Sequence, residues 1–199
     1  MSLLVETIRL LDGVLQNLEF HNSRMNQSRK ELFNQHDIVD LEKYVKIPAG
    51  IHRGIYKCRV VYSSQPEEVS FETYEPRTIG TLRLIENNTI NYPYKYTDRQ
   101  ALNDLFAYRG NCDDILIIRN GHVTDTSYSN IIFFDGTQWI TPSTPLLHGT
   151  MRSCLLKNKI ITEREIAVSD LTKFSKARLI NAMLPFGTGK DIDIKNISF

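Results

Sequence analysis

The sequence predicts an α/β protein in two halves, and three observations carry that reading. Apolar and β-branched runs are closed repeatedly by the pairs Asp12-Gly13, Asn120-Gly121 and Asp135-Gly136. Such pairs accept the positive φ angles of a tight hairpin. Other stretches carry helix punctuation, above all Thr97 with Gln100 three residues on, stopped by Gly110, a capping box and a left-handed terminator. A polar, asparagine-rich tract over residues 85–92 has the composition of a linker. It sets a small N-terminal α/β domain, residues 1–86, apart from a larger C-terminal one, residues 87–199.

In chain order, Leu3 to Leu10 and Val14 to Phe20 are predicted as strands joined through Asp12-Gly13, followed by a helix from about His21 to Phe33. On that helix Arg24, Ser28 and Leu32 fall on one side at i, i+4 spacing. Ile51 to Ser63 supplies one or two strands, with Arg59-Val60-Val61-Tyr62 the most strand-like part. Beyond the linker a helix spans about Asp98 to Arg109. Asp114 to Arg119, His122 to Phe134 and Thr137 to Thr141 then form a three-stranded meander. Gly149 opens a helix over Thr150 to Lys157, a shorter helix begins near Ser169-Asp170, and Arg178 to Leu184 is a late strand.

Composition narrows the function. With 24 basic and 23 acidic residues the formal charge is +1, so no basic field favours nucleic acid or an anionic membrane. Glu6, Arg9 and Asp12 interrupt the first dozen residues, and no apolar run approaches the roughly 20 residues of a bilayer span. Three scattered cysteines, Cys58, Cys112 and Cys154, fit reduced cytoplasmic thiols better than a disulfide frame. Neither they nor the five histidines show metal-ligand spacing. A small-molecule ligand is the expectation that remains.

Several residues could carry chemistry. Lys95 lies in Tyr92-Pro93-Tyr94-Lys95-Tyr96, where apolar rings would desolvate its amine and lower its pKa towards that of a nucleophile and base. Period-two alternation on the long strand places Val123, Asp125, Ser127, Ser129, Ile131 and Phe133 on one face. Asp125 there asks for a cationic partner, unless Asp-Thr-Ser-Tyr-Ser-Asn forms a self-satisfied surface bulge. Gly149-Thr150-Met151-Arg152 leads into a helix whose first N–H groups could face a phosphate. Arg24, with His21 three positions earlier, could grip the same anion or be a solvated helix-face arginine. Arg59, inside a strand, could face a cleft. Gly187-Thr188-Gly189-Lys190 is no phosphate loop, because Leu184 and Asp191 stand where glycine and Ser/Thr should. No cysteine has a neighbouring histidine to activate it.

In their order and spacing these pieces resemble the class IV, fold-type IV pyridoxal 5'-phosphate enzymes over nearly the whole chain. That family includes branched-chain and D-amino acid transaminases and 4-amino-4-deoxychorismate lyase. The resemblance lies in Glu6-Thr7-Ile8-Arg9, His21-Asn22-Ser23-Arg24, Lys95 with Arg99, Val123-Thr124-Asp125 with Ser129-Asn130, Thr141-Pro142, Gly149-Thr150-Met151-Arg152 and Asn181-Ala182-Met183. It implies the two-domain D-amino acid aminotransferase-like architecture, pyridoxal phosphate in the interdomain cleft, and a homodimer. It also implies Lys95 as the Schiff-base lysine, Arg24 with the Thr150 and Met151 backbone as phosphate ligands, and Asp125 as partner of the pyridine nitrogen. Asn130 and Asn181 are implied as cofactor-binding residues, and Arg59 as a contact to the substrate carboxylate. Within the family, Gly-Thr-Met-Arg and Asn-Ala-Met are closer to the lyase, which forms 4-aminobenzoate and pyruvate. A class IV transaminase is the alternative, and a non-catalytic relative a second one. Two departures stand out. Family members usually have Glu at the Asp125 position, and they carry a further strand and a glycine-rich segment before the Glu-Thr-Ile-Arg element, so the architecture is expected to be shortened at the N-terminus.

Overall fold

Alternation along the first strand builds one of two units into which the chain divides in the computed structural model, which describes residues 2–198. The first unit comprises the chain up to Pro76 together with Tyr94–Asp98. The second comprises Arg77–Pro93 and the chain from Arg99 onward. The first unit therefore ends before residue 86 and takes back a short piece of later sequence.

In the first unit, β1 (Leu4–Leu11), β2 (Val14–Leu15), β3 (Ile55–Tyr62) and β4 (Pro66–Thr73) form an antiparallel sheet of order β2-β1-β3-β4. Leu4, Glu6, Ile8 and Leu10 of β1 share one buried face with Cys58, Val60 and Tyr62 of β3. Against that face packs Met25 of helix α1 (Leu18–Phe33), with Leu41 from the short α2 (Leu41–Tyr44). Each such side chain contributes about 1.5–3 kcal/mol by leaving water. Asp12 and Gly13 take the two positive φ angles, 48° and 80°, of the expected turn. The strand predicted to Phe20 stops at Leu15, because Asn17 turns left-handed at φ 54° and α1 begins at Leu18. The buried side of α1 is His21, Met25, Ser28 and Arg29, while Leu32 is exposed. Strand β4 was not predicted, since Glu67, Glu68 and Glu72 mask its pattern. Such charges are usual on an edge strand.

The segment Tyr94–Asp98 lies along the start of β1. Val5 N–H donates to Lys95 O at 2.9 Å and Thr97 N–H to Leu3 O at 2.9 Å. The Thr97 hydroxyl also donates to Leu3 O. It does not act as the expected cap: α3 (Gln100–Ala107) starts from Arg99, without a side-chain cap bond.

The second unit holds two sheets. One is β13-β5-β6-β7, from β5 (Leu82–Glu86), β6 (Asp114–Arg119), β7 (His122–Thr126) and β13 (Ile197–Ser198). The other is β10-β9-β8-β11-β12, from β8 (Asn130–Phe134), β9 (Trp139–Pro142), β10 (Ile161–Arg164), β11 (Lys176–Ile180) and β12 (Asp191–Asp193). Helix α4 (Thr150–Lys157) precedes β10, and a 3-10 turn spans Val168–Lys173. The meander expectation is thus corrected: β6 and β7 pair in one sheet, β8 and β9 in the other. The predicted strand His122 to Phe134 breaks at Ser127–Ser129, where Thr126 N–H donates to Ser129 O and Ser129 N–H to the Thr126 hydroxyl. The single alternating face therefore does not exist. Val123, Ile131 and Phe133 nevertheless meet in one core with Leu82, Leu116, Ile118 and Leu179. The presumed linker begins as β5, parallel to β6, and ends in a turn where the Asn87 side-chain carbonyl accepts from Thr89 and Ile90 N–H. Among the described residues no helix is long and apolar enough to cross a membrane.

Candidate active site

In the first unit, a carboxylate with no solvent exposure is the centre of a charged cluster. Glu6 shares its strand face with Leu4 and Ile8, a position where an acid persists only with strong donors. Arg24 supplies two, Nε to Oε1 at 2.9 Å and Nη2 to Oε2 at 2.5 Å, and His21 Nδ1 meets Oε2 at 2.6 Å. Burial pushes the Glu6 carboxyl up, but the Arg24 charge and the hydrogen bonds from His21 and Arg24 outweigh it and hold the group down at about 2. Burial drives His21 the other way, lowering its pKa against the pull of Glu6, with the Arg24 and Lys95 charges acting in the same direction as burial. A neutral ring donating Nδ1–H to an ionised Glu6 satisfies both groups.

Lys95 is half-buried on the strap beside β1, and Tyr94 and Tyr96 flank it with their rings edge to face, centroids 6.0 Å apart. Arg24, His21 and Lys95 thus belong to one electrostatic neighbourhood. Arg59 does not join them. It is opposite Thr7 and Ser70, on the sheet face away from Cys58 and Val60, and its charge helps to lower the pKa of Glu72. Glu6 itself was quoted in the sequence only as part of a motif. The alternation Leu4-Glu6-Ile8-Leu10 is the signal that marks it, the same kind of signal that marked Asp125.

The second unit brings Asp125, Asn130 and the entry to α4 together. Asp125 is buried at the end of β7. Its Oδ2 accepts from the Leu146 and Leu147 N–H groups at 2.9 and 3.0 Å, and its Oδ1 from Asn130 Nδ2 at 2.7 Å. A carboxylate offers about four lone-pair sites, so three are taken by these donors. Burial raises its pKa to about 6, although the Leu147, Asn130 and Leu146 donors and the Arg152 charge all pull it down. Of the two earlier readings, the self-satisfied exposed bulge fails, because Asp125, Ser127, Ser129 and Asn130 are buried and only Tyr128 projects.

Helix α4 begins at Thr150 with Gly149 as a cap that has no side chain to offer its first N–H groups. Met151 spends its side chain in a core with Ile132, Leu155, Ile161 and Ile180, so only its backbone can serve a ligand. Asn181 is engaged locally: its Oδ1 accepts from Met183 and Leu184 N–H, and its Nδ2 donates to the Ser129 hydroxyl. Arg99, another residue outside the sequence-derived site, holds the turn between β7 and β8. Its Nη2 donates to Ser127 O at 2.6 Å and its guanidinium stacks 3.9 Å from the Tyr128 ring centroid.

One pH effect follows from Asp125 alone. A carboxyl whose folded pKa is raised contributes stability that is complete below its unfolded pKa and lost as pH rises through the folded value. The ligand-free protein is therefore expected to lose on the order of 3 kcal/mol between about pH 4 and pH 6, a window set by Asp125 at about 6. Urea unfolding across that range measures it. Asp125→Asn should remove this part of the slope, and an unchanged slope in the variant would sink the assignment.

The family model for class IV aminotransferases matches residues 3–187. An uncharacterized protein of Haemophilus influenzae is 37% identical over 182 residues, covering 90% of this chain and 97% of that one. Among solved structures, a protein of Haemophilus somnus 129pt provisionally named as a 4-amino-4-deoxychorismate lyase is 36% identical, with TM-score 0.88, over 94% of this chain and 98% of its own. A hypothetical aminotransferase from Mycobacterium tuberculosis in a PLP-bound form superposes with TM-score 0.76 at 18% identity, over 96% of this chain and 80% of its own, a likeness of fold.

Proposed function

Because the chain belongs to the class IV aminotransferase family, enzymes built around pyridoxal 5'-phosphate, we propose that it is a lyase converting 4-amino-4-deoxychorismate to 4-aminobenzoate and pyruvate. The observation that carries the choice within the family is the near full-length likeness to the Haemophilus somnus structure, at an identity high enough to speak for more than fold. The Gly149-Thr150-Met151-Arg152 entry to α4 agrees with it, as does Asn181-Ala182-Met183, which lies in a turn after β11 and not in the late strand expected to reach Leu184.

The donor set fits the cofactor. A dianionic phosphate suits a helix N-terminus without a side-chain cap, at Thr150 and Met151, together with an arginine whose orientation Glu6 fixes. A protonated ring nitrogen suits a buried carboxylate with one acceptor site in hand, Asp125. An aldehyde suits the amine of Lys95. When bound, pyridoxal phosphate supplies the electron sink for the carbanion left by proton removal.

The chain's own residues do the rest. Lys95 would hold the cofactor through its amine and, once the substrate amine had freed it, would take the proton from the carbon bearing that amine. Arg24 and the α4 N-terminus anchor the phosphate, so the ring does not shift as bonds are remade. Asp125 keeps a proton on the ring nitrogen, and with that cation beside it the carboxyl is held in its ionised form. Asn181 supports the loop before β8 through Ser129. Loss of the side chain as pyruvate makes the ring aromatic, which drives the reaction. We further propose that the enzyme works as a homodimer in the cytoplasm, with sedimentation showing twice the chain mass.

The test is direct. Purified enzyme given aminodeoxychorismate should release pyruvate and fluorescent 4-aminobenzoate with no keto acid added; turnover that needs such an acceptor identifies a transaminase instead. Asp125→Asn should keep the cofactor and lower the rate by about 10²-fold or more, the scale of one lost electrostatic partner. Full turnover in that variant would contradict the role given to Asp125.

A further inference from the structure

Asn130 makes two hydrogen bonds and one close approach that no ligand needs to explain. Both hydrogens of its Nδ2 are committed, one to Asp125 Oδ1 at 2.7 Å and one to Leu147 O at 2.9 Å. Its Oδ1 lies 2.0 Å from where a Cβ on Gly149 would be. Through Asp125 it is also linked to the Leu146 and Leu147 N–H groups. Gly149 has φ −69° and ψ 144°, a conformation open to any residue. Glycine is required there for space and not for backbone freedom. The stretch from Leu146 to Gly149 is therefore clamped from one side by the Asp125 carboxylate and the Asn130 amide together, and α4 starts immediately after it.

Resting on the proposed function, we infer that Asn130 is a positioning residue and not a cofactor ligand: it ties the carboxylate that meets the ring nitrogen to the helix end that meets the phosphate, with Gly149 as its matched partner. Together with the direct bonds from Leu146 and Leu147 N–H to Asp125, this side chain fixes the separation of the two ends of the cofactor. An amide is the group this needs. A carboxylate at 130 would set a second negative charge against Asp125 and lose both donors, and an apolar residue would leave Asp125 Oδ1 and Leu147 O without their partner.

The experiment compares wild type, Asn130→Ala, Gly149→Ala and the double variant. Three quantities are read: urea stability of the cofactor-free protein, the ratio of affinities for pyridoxal phosphate and pyridoxal, and the pH midpoint of the bound cofactor's absorbance. Gly149→Ala alone should cut the affinity ratio by about tenfold, because its methyl drives Asn130 and the helix start apart. In the Asn130→Ala background the same change should have little further effect, since the atom it strikes is gone. Asn130→Ala itself should lower the affinity ratio and shift the pH midpoint together. Lost stability with both of those unchanged would mean a structural role only and would overturn the inference. If Asn130→Ala does not fold, Asn130→Ser, which keeps one donor, should give a smaller shift of the same two readouts, and their constancy would be equally fatal. A wild type that binds pyridoxal phosphate no better than pyridoxal would defeat the functional reading itself and the positioning role with it. Preference in wild type with no coupling between 130 and 149 defeats the positioning role alone.

Discussion

Lys95→Ala is expected to leave a folded protein that no longer turns over and no longer holds its cofactor covalently. The backbone at 95 is what the fold uses: its carbonyl accepts from Val5 N–H, a contact alanine keeps. In the proposed function the amine would act twice, once for attachment and once for proton transfer, so one truncation would remove two functions. Loss of a general base alone costs about 10²–10⁴-fold, and loss of the covalent step adds to that. Borohydride treatment followed by peptide mass analysis should place the reduced adduct on Lys95 in wild type and nowhere in the variant. An adduct on another lysine, or residual turnover within tenfold of wild type, roughly one pKa unit in energy, would remove Lys95 from its role.

The second large effect is on stability. Glu6→Ala should destabilise the protein by about 3–5 kcal/mol, the range for removing one partner of a buried ion pair. It leaves the Arg24 guanidinium, which is only 15% exposed, and His21 without the acceptor that justifies their burial. Linkage gives a similar figure. A carboxyl held at about 2 against an ordinary 4.5 contributes on the order of 3 kcal/mol. That contribution is present above about pH 4.5 and is lost as pH falls towards 2. Urea unfolding of the ligand-free protein at neutral pH measures the loss. The acid limb of its pH profile should flatten in the variant, and a loss below about 1 kcal/mol would place this cluster among ordinary surface pairs. Because Glu6 and Asp125 titrate in separate ranges and with opposite sign, the two buried acids can be told apart in a single profile.

Local chemistry decided which elements were legible in the sequence. Asn120-Gly121 takes φ 52° and 78° and closes β6 onto β7 as expected, and α4 runs from Thr150 to Lys157 as its glycine signalled. Strand β6 stands out as an apolar run bounded by a turn pair. The break at Ser127–Ser129 was legible only as the alternative of a bulge, because the local Thr126–Ser129 bonds are joined by a latch from Arg99, 28 positions from Ser127. Without that latch the alternation from Val123 to Phe133 reads as one strand. Strands β12 and β13 are too short to announce themselves and exist only through distant partners, Ala177 and Leu82 among them. In the candidate site, residue types were readable but their obligations were not. The Glu6 clamp on Arg24 spans 18 positions and the Asn130 bond to Leu147 spans 17, so neither has a local signature.

The return of Tyr94–Asp98 to the first unit means that the polypeptide passes from one unit to the other after Pro76, Pro93 and Asp98. A lone nick at the Pro76–Arg77 junction would thus leave Lys95 on the fragment that holds the second unit, and expressing residues 1–76 by themselves would yield a half deprived of it. Fusing Tyr94–Asp98 through a linker to residues 1–76 would return the amine to that half.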